Sequence, residues 1–488
     1  MTECMNIVFL MSDQWRWDTL FQEGHVCQTP NLDRLGQEGV VFKNAFTCYP
    51  LCSPARSSLF TGKWPHQTGV TDNVGTRMYF ERGKMNLEQV TYLERLRDAG
   101  YAVSYCGKWH LGLGTLPERG IENCFLSDGG PDGARRGGLT RPPLDSAYPR
   151  LDPYYATYTE GIGPDQQVIE RGIDQIERFA RGDSPFCVVI STSGPHFAHN
   201  TPAGYAERYA DLPDDFMPDN YSEAFTEENK PIMQSRAYWP CQNTRPLTQK
   251  DWARTCQHYW GFCTHLDEQY GRVMARLEAL GLAEKTLVAF CADHGEMLGA
   301  HGGFDKGPYF YEEIMRIPMI IRDPRGRAPA DADGFVNLRD LFPTLISLAG
   351  ADEVLRRGEG DRSYFETRNG CTFYGYDMYQ GRQFYLRGIR TARFKYNWSP
   401  HDMEELYDLE NDPQERVNLA DAPEYAEAQE QLHAQLMAWM EGEGDYMFYA
   451  RHLPPVGSYI DGRGFDEQHD HGWTDEERAW MRRTSPRE

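Results

Sequence analysis

Three continuous apolar runs constrain the fold of this chain more than any other feature of its sequence. They are Asn6–Met11, Phe186–Ser191 and Thr286–Cys291, and each has the length of a strand rather than of a helix. A strand that is apolar on both sides must be covered on both sides, as parallel strands are between layers of helices. The sequence therefore predicts an α/β fold with a mixed, mostly parallel central sheet flanked by helices.

Amphipathic helices are predicted between these strands. Apolar residues recur at helical spacing over 87–99, 165–180 and 257–280, and Gly100 and Gly182 follow the first two. In open sheets of this kind, ligands bind beyond the carboxyl ends of the strands. The residues that follow each strand are therefore the first candidates for a functional site.

Polar residues with the chemistry of metal ligands follow two of the strands. Asp13 and Gln14 come after the first strand, and Asp293 and His294 come after the third. Carboxylate and amide oxygens suit a hard cation, and an imidazole nitrogen broadens the choice of metal. For each acid taken alone, a turn residue or a helix cap is the alternative interpretation.

A cysteine is predicted at the start of a helix in the segment Cys52–Gly62. Pro54 suits the first helical turn, where a missing N–H costs nothing, and Gly62 is placed for a C-cap. A helix N-terminus favours negative charge, and Arg56 adds a positive charge on the same face. The segment therefore predicts an anion-binding position beside a reactive cysteine. The alternative interpretation of Cys52 is an inert, buried thiol.

The pattern C-x-P-x-R followed by L-x-T-G, at 52–62, resembles the signature of the sulfatases, the formylglycine-dependent hydrolases of the alkaline phosphatase superfamily. The resemblance recurs in G-K-W-H-L-G at 107–112, P-H at 195–196, A-D-H-G at 292–295 and the glycine-flanked Lys306, and it spans most of residues 5–420. It implies an alkaline phosphatase-like fold and a sulfuric ester hydrolase. It also implies that a maturation enzyme oxidises Cys52 to formylglycine, whose hydrate attacks sulfur and forms a covalent sulfoenzyme intermediate.

The resemblance assigns catalytic roles to five residues besides the nucleophile. Arg56, Lys108 and Lys306 would meet the charge on the sulfuryl oxygens. His110 would take the proton that lets the intermediate collapse, and His196 would protonate the departing alcohol. Lys108 and His196 would also bind the substrate.

Two further substrate-binding residues follow from the resemblance. Lys306 matches a lysine that contacts the bridging oxygen, and Asn73 matches, by its distance from residue 52, an asparagine of the phosphonate monoester hydrolases. Two other histidines are interpreted differently, His66 as structural and His199 as a residue on the rim of the site.

The metal ligands implied by the resemblance are residue 52 and the four residues after the strands: Asp13, Gln14, Asp293 and His294. Sulfatases usually carry a second acid where this chain has Gln14. With Gln14 and His294 at these positions, the site resembles that of the choline sulfatases and phosphonate monoester hydrolases more than that of the lysosomal arylsulfatases. A mainly oxygen site favours one calcium ion, with manganese second because of the imidazole.

Composition restricts the partners. The chain has 488 residues and a formal net charge of −23, which argues against nucleic acid or an anionic membrane. A small anionic sulfate ester must then be met by local positive charges and a metal ion. No basic segment precedes the first apolar run, so we expect no signal peptide and a cytoplasmic location. The 12 cysteines contain no C-x-x-C pair and are expected to be reduced.

Three parts are predicted along the chain. A catalytic domain covers 1–372, a smaller C-terminal α+β subdomain with an antiparallel sheet covers 373–442, and a tail covers 443–488. Irregular segments at 113–160 and 201–250 are interpreted as insertions that determine substrate specificity. The tail, which contains His469, Asp470 and His471, is expected to pack on a neighbouring subunit of a homo-oligomer.

Two alternatives to a sulfatase remain open from the sequence alone. A phosphonate monoester or phosphodiester hydrolase could use the same site, and assays with both ester classes would separate the two enzymes. A catalytically inactive binding protein could also keep this fold. The mass of the peptide that contains Cys52 would address that alternative, because an inactive protein has no need of the conversion.

Overall fold

The computed structural model describes residues 4–20, 27–74, 84–112, 115–127, 144–145, 155–158, 162–222, 229–236, 247–328, 334–355, 370–379, 381–400 and 402–452. Much of the predicted insertion at 113–160 lies outside these ranges, as does the tail beyond 452 with His469, Asp470 and His471. Among the described helices, none combines the length and the apolar character that crossing a bilayer requires. The described cysteines are free thiols.

The strands and helices are numbered along the chain. The strands are β1 (Asn6–Asp13), β2 (Val40–Val41), β3 (Ala45–Phe46), β4 (Ala102–Gly107), β5 (Cys124–Leu126), β6 (Leu144–Asp145), β7 (Tyr155–Tyr158), β8 (Phe186–Pro195), β9 (His199–Pro202), β10 (Thr286–Ala292), β11 (Met319–Arg322), β12 (Val336–Asn337), β13 (Cys371–Tyr379), β14 (Arg382–Thr391), β15 (Phe394–Trp398) and β16 (Glu405–Asp408). The α-helices are α1 (Pro30–Glu38), α2 (Cys52–Thr61), α3 (Pro65–Thr68), α4 (Tyr92–Asp98), α5 (Thr115–Glu118), α6 (Pro164–Phe179), α7 (Ile232–Arg236), α8 (Gln249–Ala279), α9 (Glu312–Met315), α10 (Leu341–Ala349) and α11 (Ala426–Gly442).

The central sheet has the strand order β2-β11-β10-β1-β8-β4-β5. The strands β10, β1, β8, β4 and β5 run parallel, whereas β11 pairs antiparallel with both β10 and β2. Strand β10 is buried along its whole length, and β1 is buried beyond its first residue, as their apolar sequences predict. The predicted α/β class, with its mixed and mostly parallel sheet, is confirmed.

Register in the middle of the sheet brings the candidate ligands to one edge. Ser12 of β1 pairs with Ala292 of β10, so Asp13 and Asp293 follow at the same level of adjacent parallel strands. On the other side of β1, Asp13 pairs with Pro195 at the end of β8. The carboxyl ends of three strands therefore meet at one place, where open α/β sheets hold their ligands.

A separate antiparallel sheet lies toward the C-terminus, with the order β13-β14-β15-β16. Helix α11 packs on it through a cluster that includes Leu432 and Leu436. A buried ion pair ties this sheet to α9, because Lys395 Nζ of β15 lies 2.9 Å from Glu312. The boundaries assigned to the subdomain at 373 and 442 remain predictions.

The helix predicted over 87–99 starts later than its apolar spacing suggests. Helix α4 begins at Tyr92, after a capping box in which Thr91 accepts from the Glu94 N–H and Glu94 accepts from the Thr91 N–H. Leu87 and Val90, which extended the apolar pattern, are exposed. The prediction of the helix start was therefore wrong, because the capping box determines it and the spacing does not.

Candidate active site

Helix α2 presents Cys52 as its first residue, as the sequence predicts. Its N-cap, Leu51, is extended, and Gly62 ends the helix in the left-handed conformation with φ of 73°. A Cβ on Gly62 would lie 2.1 Å from the Tyr92 hydroxyl, so space and backbone both require glycine there. Every residue of α2 is buried, and the Cys52 thiol therefore lies away from bulk water.

Four potential ligand groups meet at the start of this helix. One carboxylate oxygen each of Asp13 and Asp293, a ring nitrogen of His294 and the Cys52 sulfur lie within 4.8 Å of one another, and all four residues are buried. The sulfur is 3.2 Å from His294 Nε2 and 3.7 Å from Asp13 Oδ1. Gln14 lies beside this group, and its backbone N–H donates to Asp293 Oδ1 at 3.1 Å.

Arg56 donates hydrogen bonds to both acids of the cluster, Asp13 and Asp293. Its Nε donates to Asp293 Oδ2 at 2.8 Å, and its Nη2 donates to Asp13 Oδ2 at 3.0 Å. Its Nη1 donates to Lys108 O at 2.6 Å and to Ser191 Oγ at 2.9 Å. The guanidinium is completely buried. These contacts favour a role in orienting the acids over a direct contact with substrate.

Lys108 reaches the nucleophile position from the end of β4. Its Nζ lies 2.6 Å from Asp13 Oδ2 and 3.8 Å from Cys52 Sγ. Gly107, just before it, has φ of 110°, and a Cβ there would lie 1.8 Å from Ser191 O. Only glycine lets β4 approach β8 so closely at this point, which explains the glycine before the lysine.

Lys306 and His196 form a hydrogen-bonded pair beside the cluster. Lys306 Nζ lies 2.6 Å from His196 Nε2 and donates to Gln14 Oε1 at 2.8 Å. The other ring nitrogen of His196 is 2.5 Å from Phe197 O. Burial and the charge of Lys306 lower the pKa of His196 to about 4. The imidazole is therefore neutral near pH 7, with Nε2 as an acceptor and Nδ1 as the donor.

Two predicted residues lie next to Cys52 through Ser53. Asn73 Oδ1 accepts from the Ser53 N–H at 3.0 Å, and the His110 carbonyl accepts from Ser53 Oγ at 2.6 Å. His110 has φ of 55°, an uncommon conformation for a residue with a side chain. Asn73 therefore supports the start of α2 in this structure, and the predicted substrate contact of Asn73 stays a prediction.

The interpretation of His199 as a rim residue was wrong. His199 is completely buried in β9, with its Nδ1 2.9 Å from Pro195 O. Its ring packs edge-on against Tyr259 and Phe304, and sequence alone gave no indication of these partners. His66, interpreted as structural, lies 3.3 Å from Glu443 O and thereby contacts the segment after α11.

Burial and neighbouring charges shift the pKa of each member of the cluster. Burial raises the pKa of Asp13, but Lys108, His196 and Arg56 together hold it well below its usual range. Burial and the charge of Asp13 raise the pKa of Asp293 to about 6.

The pKa values of the Cys52 thiol and the His294 imidazole shift in opposite directions. Burial and Asp13 raise the pKa of the Cys52 thiol, yet Lys108, Lys306 and His294 bring it well below its usual range. Burial lowers the pKa of His294, but Asp293 and Cys52 raise it to about 9. A cation that binds His294 must displace this proton.

Sequence reasoning missed two buried acids that position the site. Asp165 accepts from the Ser193 N–H at 2.6 Å and the Gly194 N–H at 3.0 Å, and so fixes the end of β8 that leads to His196. It lies far from that strand end in sequence, and no local pattern marks it. Glu296 follows the A-D-H-G motif and could have been noticed as a further acid at the same strand end.

The donor set fits a divalent cation. Two carboxylates and an imidazole, held by a guanidinium and by strand ends, are ligands that calcium and manganese accept. Arg56 binds the Oδ2 atom of both Asp13 and Asp293, which leaves the Oδ1 atom of each acid for a cation. These residues fit the divalent metal that the resemblance to the sulfatases implies.

Known proteins resemble this chain in sequence and in fold. Residues 5–351 match the family model described as Sulfatase, and residues 299–442 match the one described as N-sulphoglucosamine sulphohydrolase, C-terminal. The chain is 32% identical over 460 residues to the uncharacterized sulfatase YidJ of Escherichia coli (strain K12), a match that covers 89% of this chain and 87% of that protein.

Two further comparisons extend the likeness. The choline-sulfatase of Rhizobium meliloti (strain 1021) is 29% identical over 441 residues, covering 86% of this chain and 83% of that protein. The solved phosphonate monoester hydrolase SpPMH from Silicibacter pomeroyi has a TM-score of 0.74 at 21% identity, covering 91% of this chain and 96% of that one, and shows the shared fold. Given the family match over most of its length, this chain belongs to the sulfatase family of the alkaline phosphatase superfamily and is a sulfuric ester hydrolase.

Proposed function

We propose that this enzyme hydrolyses a sulfate monoester to an alcohol and inorganic sulfate, with residue 52 as nucleophile after conversion of Cys52 to formylglycine. The observation that supports this most is the placement of Cys52. It starts a buried helix within 4.8 Å of Asp13, Asp293 and His294 and lies 3.8 Å from Lys108 Nζ. The reaction would pass through a covalent sulfate ester on residue 52.

One divalent cation would be held by Asp13, Gln14, Asp293 and His294 together with residue 52, with calcium as the first candidate and manganese as the second. When bound, such an ion supplies Lewis-acid stabilisation of charge on oxygen. The chain's own residues do the rest. Lys108, beside both residue 52 and Asp13, would bind the sulfuryl oxygens and stabilise their developing charge.

The proton for the departing alcohol would come from the Lys306–His196 pair. His196 alone is neutral near pH 7, since its pKa is about 4, and its Nε2 faces the Lys306 ammonium at 2.6 Å. The ammonium therefore carries the available proton on the leaving-group side. His110 would accept the proton whose removal releases sulfate from residue 52.

The partners proposed for the chain are a small sulfate ester, a formylglycine-generating maturation enzyme and a second copy of the chain in a homo-oligomer. A cytoplasmic location is proposed with them. The negative overall charge of −23 makes the positive groups of the site the local attraction for the anionic substrate.

An ester panel tests the proposal. The protein is co-expressed with a maturation enzyme, and kcat/KM is measured for aryl sulfates, aryl phosphonate monoesters and phosphodiesters. We expect the highest kcat/KM for a sulfate ester, loss of activity on chelation, and its return with calcium. A large preference for the phosphorus esters would instead favour the phosphonate monoester or phosphodiester hydrolase. No turnover by converted, metal-loaded protein would favour a binding protein.

A further inference from the structure

Glu296 is a buried carboxylate that the proposed chemistry does not use. It has no exposed surface and lies beyond β10, three residues after Asp293. Its Oε1 accepts from the Leu298 N–H at 2.9 Å and from the Asp305 N–H at 2.5 Å. Its Oε2 accepts from Gln14 Nε2. One carboxylate thus joins the strand end, the loop that carries Lys306 and the amide of Gln14.

The side-chain amide of Gln14 has two possible orientations, which differ in the positions of its oxygen and its nitrogen. Its backbone is fixed at both ends, because its N–H donates to Asp293 Oδ1 and its carbonyl accepts from the Tyr259 hydroxyl at 2.9 Å. Rotation of the amide by half a turn would exchange its oxygen and nitrogen. Glu296 is an acceptor that requires the nitrogen on its side, so the oxygen faces the Lys306 ammonium.

From this geometry we propose that Glu296 is a positioning residue, which orients the Gln14 amide so that its oxygen is offered to the cation. The proposal rests on the proposed function, because it takes the cluster as the metal site. It deepens that function by naming what makes an amide a usable ligand there. An amide that turned its NH₂ group toward Lys306 would offer a cation no oxygen and would place two donors against each other.

The side chains of Gln14 and Glu296 have the same length, so the amide and the carboxylate can be exchanged between the two positions. In Glu296→Gln, the new amide must keep its oxygen for the two backbone N–H groups, so its NH₂ faces the NH₂ of Gln14. In Gln14→Glu, two carboxylates face each other. In the double variant Gln14→Glu/Glu296→Gln, the amide at 296 donates to the carboxylate at 14, and the contact is restored with reversed polarity.

The measurement is the calorimetric titration of chelator-stripped, full-length protein with calcium, repeated with manganese. We expect Glu296→Gln to bind about 10–100-fold more weakly than wild type, the usual scale for partners of metal ligands. We expect the double variant to bind more tightly than either single variant. The matched control is Glu313→Gln, another buried glutamate, whose carboxylate accepts from Asn220, and its affinity should equal that of wild type.

Two results would overturn the proposal: unchanged affinity in Glu296→Gln, or a double variant no better than the single ones. If Glu296→Gln does not fold, the comparison of Gln14→Glu with the double variant decides in the same way. Asp13→Asn separates this proposal from the proposed function. If Asp13→Asn binds both ions like wild type, the metal site itself is misassigned. If Asp13→Asn loses metal binding while Glu296→Gln binds the metal like wild type, only the role of Glu296 is contradicted.

Discussion

Cys52→Ala is expected to lose sulfate ester hydrolysis by ~10⁴-fold or more in kcat, the scale found when a covalent nucleophile is removed. An alanine has no oxygen to attack sulfur, and no remaining side chain can form and release a covalent sulfate ester. Asp13, Asp293 and His294 stay in place, so we expect calcium still to bind. Steady-state kinetics with a sulfate ester and a calcium titration measure the two effects separately.

The matched control is Cys124→Ala. Cys124 is half-buried in β5 at the edge of the sheet, and no group of the ligand cluster contacts it among the described residues. This variant should keep the kcat of wild type. A Cys52→Ala enzyme that turned over at a similar rate would show that the nucleophile is not residue 52, and the mechanism proposed above would be wrong.

Arg56→Ala is expected to produce the largest loss of stability. It leaves the carboxylates of Asp13 and Asp293 buried without the guanidinium that bonds both at 2.8 and 3.0 Å. Removing one partner of a buried ion pair costs ~3–5 kcal/mol. It also removes the donor to Lys108 O and Ser191 Oγ, so β4 and β8 lose a tie at the site. Urea unfolding of the chelated protein measures this as a lower midpoint.

Arg34→Ala is the comparison variant. Arg34 pairs with Glu278 at 3.0 Å, but both side chains are about half exposed, and such pairs contribute at most ~1 kcal/mol. Its unfolding midpoint should stay close to that of wild type. If Arg56→Ala unfolded at the same urea concentration as Arg34→Ala, the buried guanidinium would not be the support that the structure indicates.

The fold and the ligand cluster could be predicted because each depends on a local pattern. Apolar runs of strand length predicted β1, β8 and β10, and the rule that parallel strands place their ligands at one edge predicted that Asp13 and Asp293 would meet. The helix start at Cys52 followed from Pro54 and Gly62. In each case the neighbouring residues in sequence carry the signal.

The missed features depend on contacts between distant segments. The burial of His199 comes from rings on α8 and on the loop after β10, and the role of Asp165 comes from backbone N–H groups nearly thirty residues away. The contact between Gln14 and Glu296 joins two strand ends. No periodicity or motif encodes which donor faces which acceptor across such distances, so these features required the structure.

The most direct test of the account is anomalous diffraction from crystals of the matured enzyme grown with manganese. We expect one ion peak, bonded to Asp13, Gln14, Asp293 and His294, beside density at residue 52 for formylglycine or its hydrate. An active enzyme whose ion lay elsewhere, or whose residue 52 was still a thiol, would contradict it.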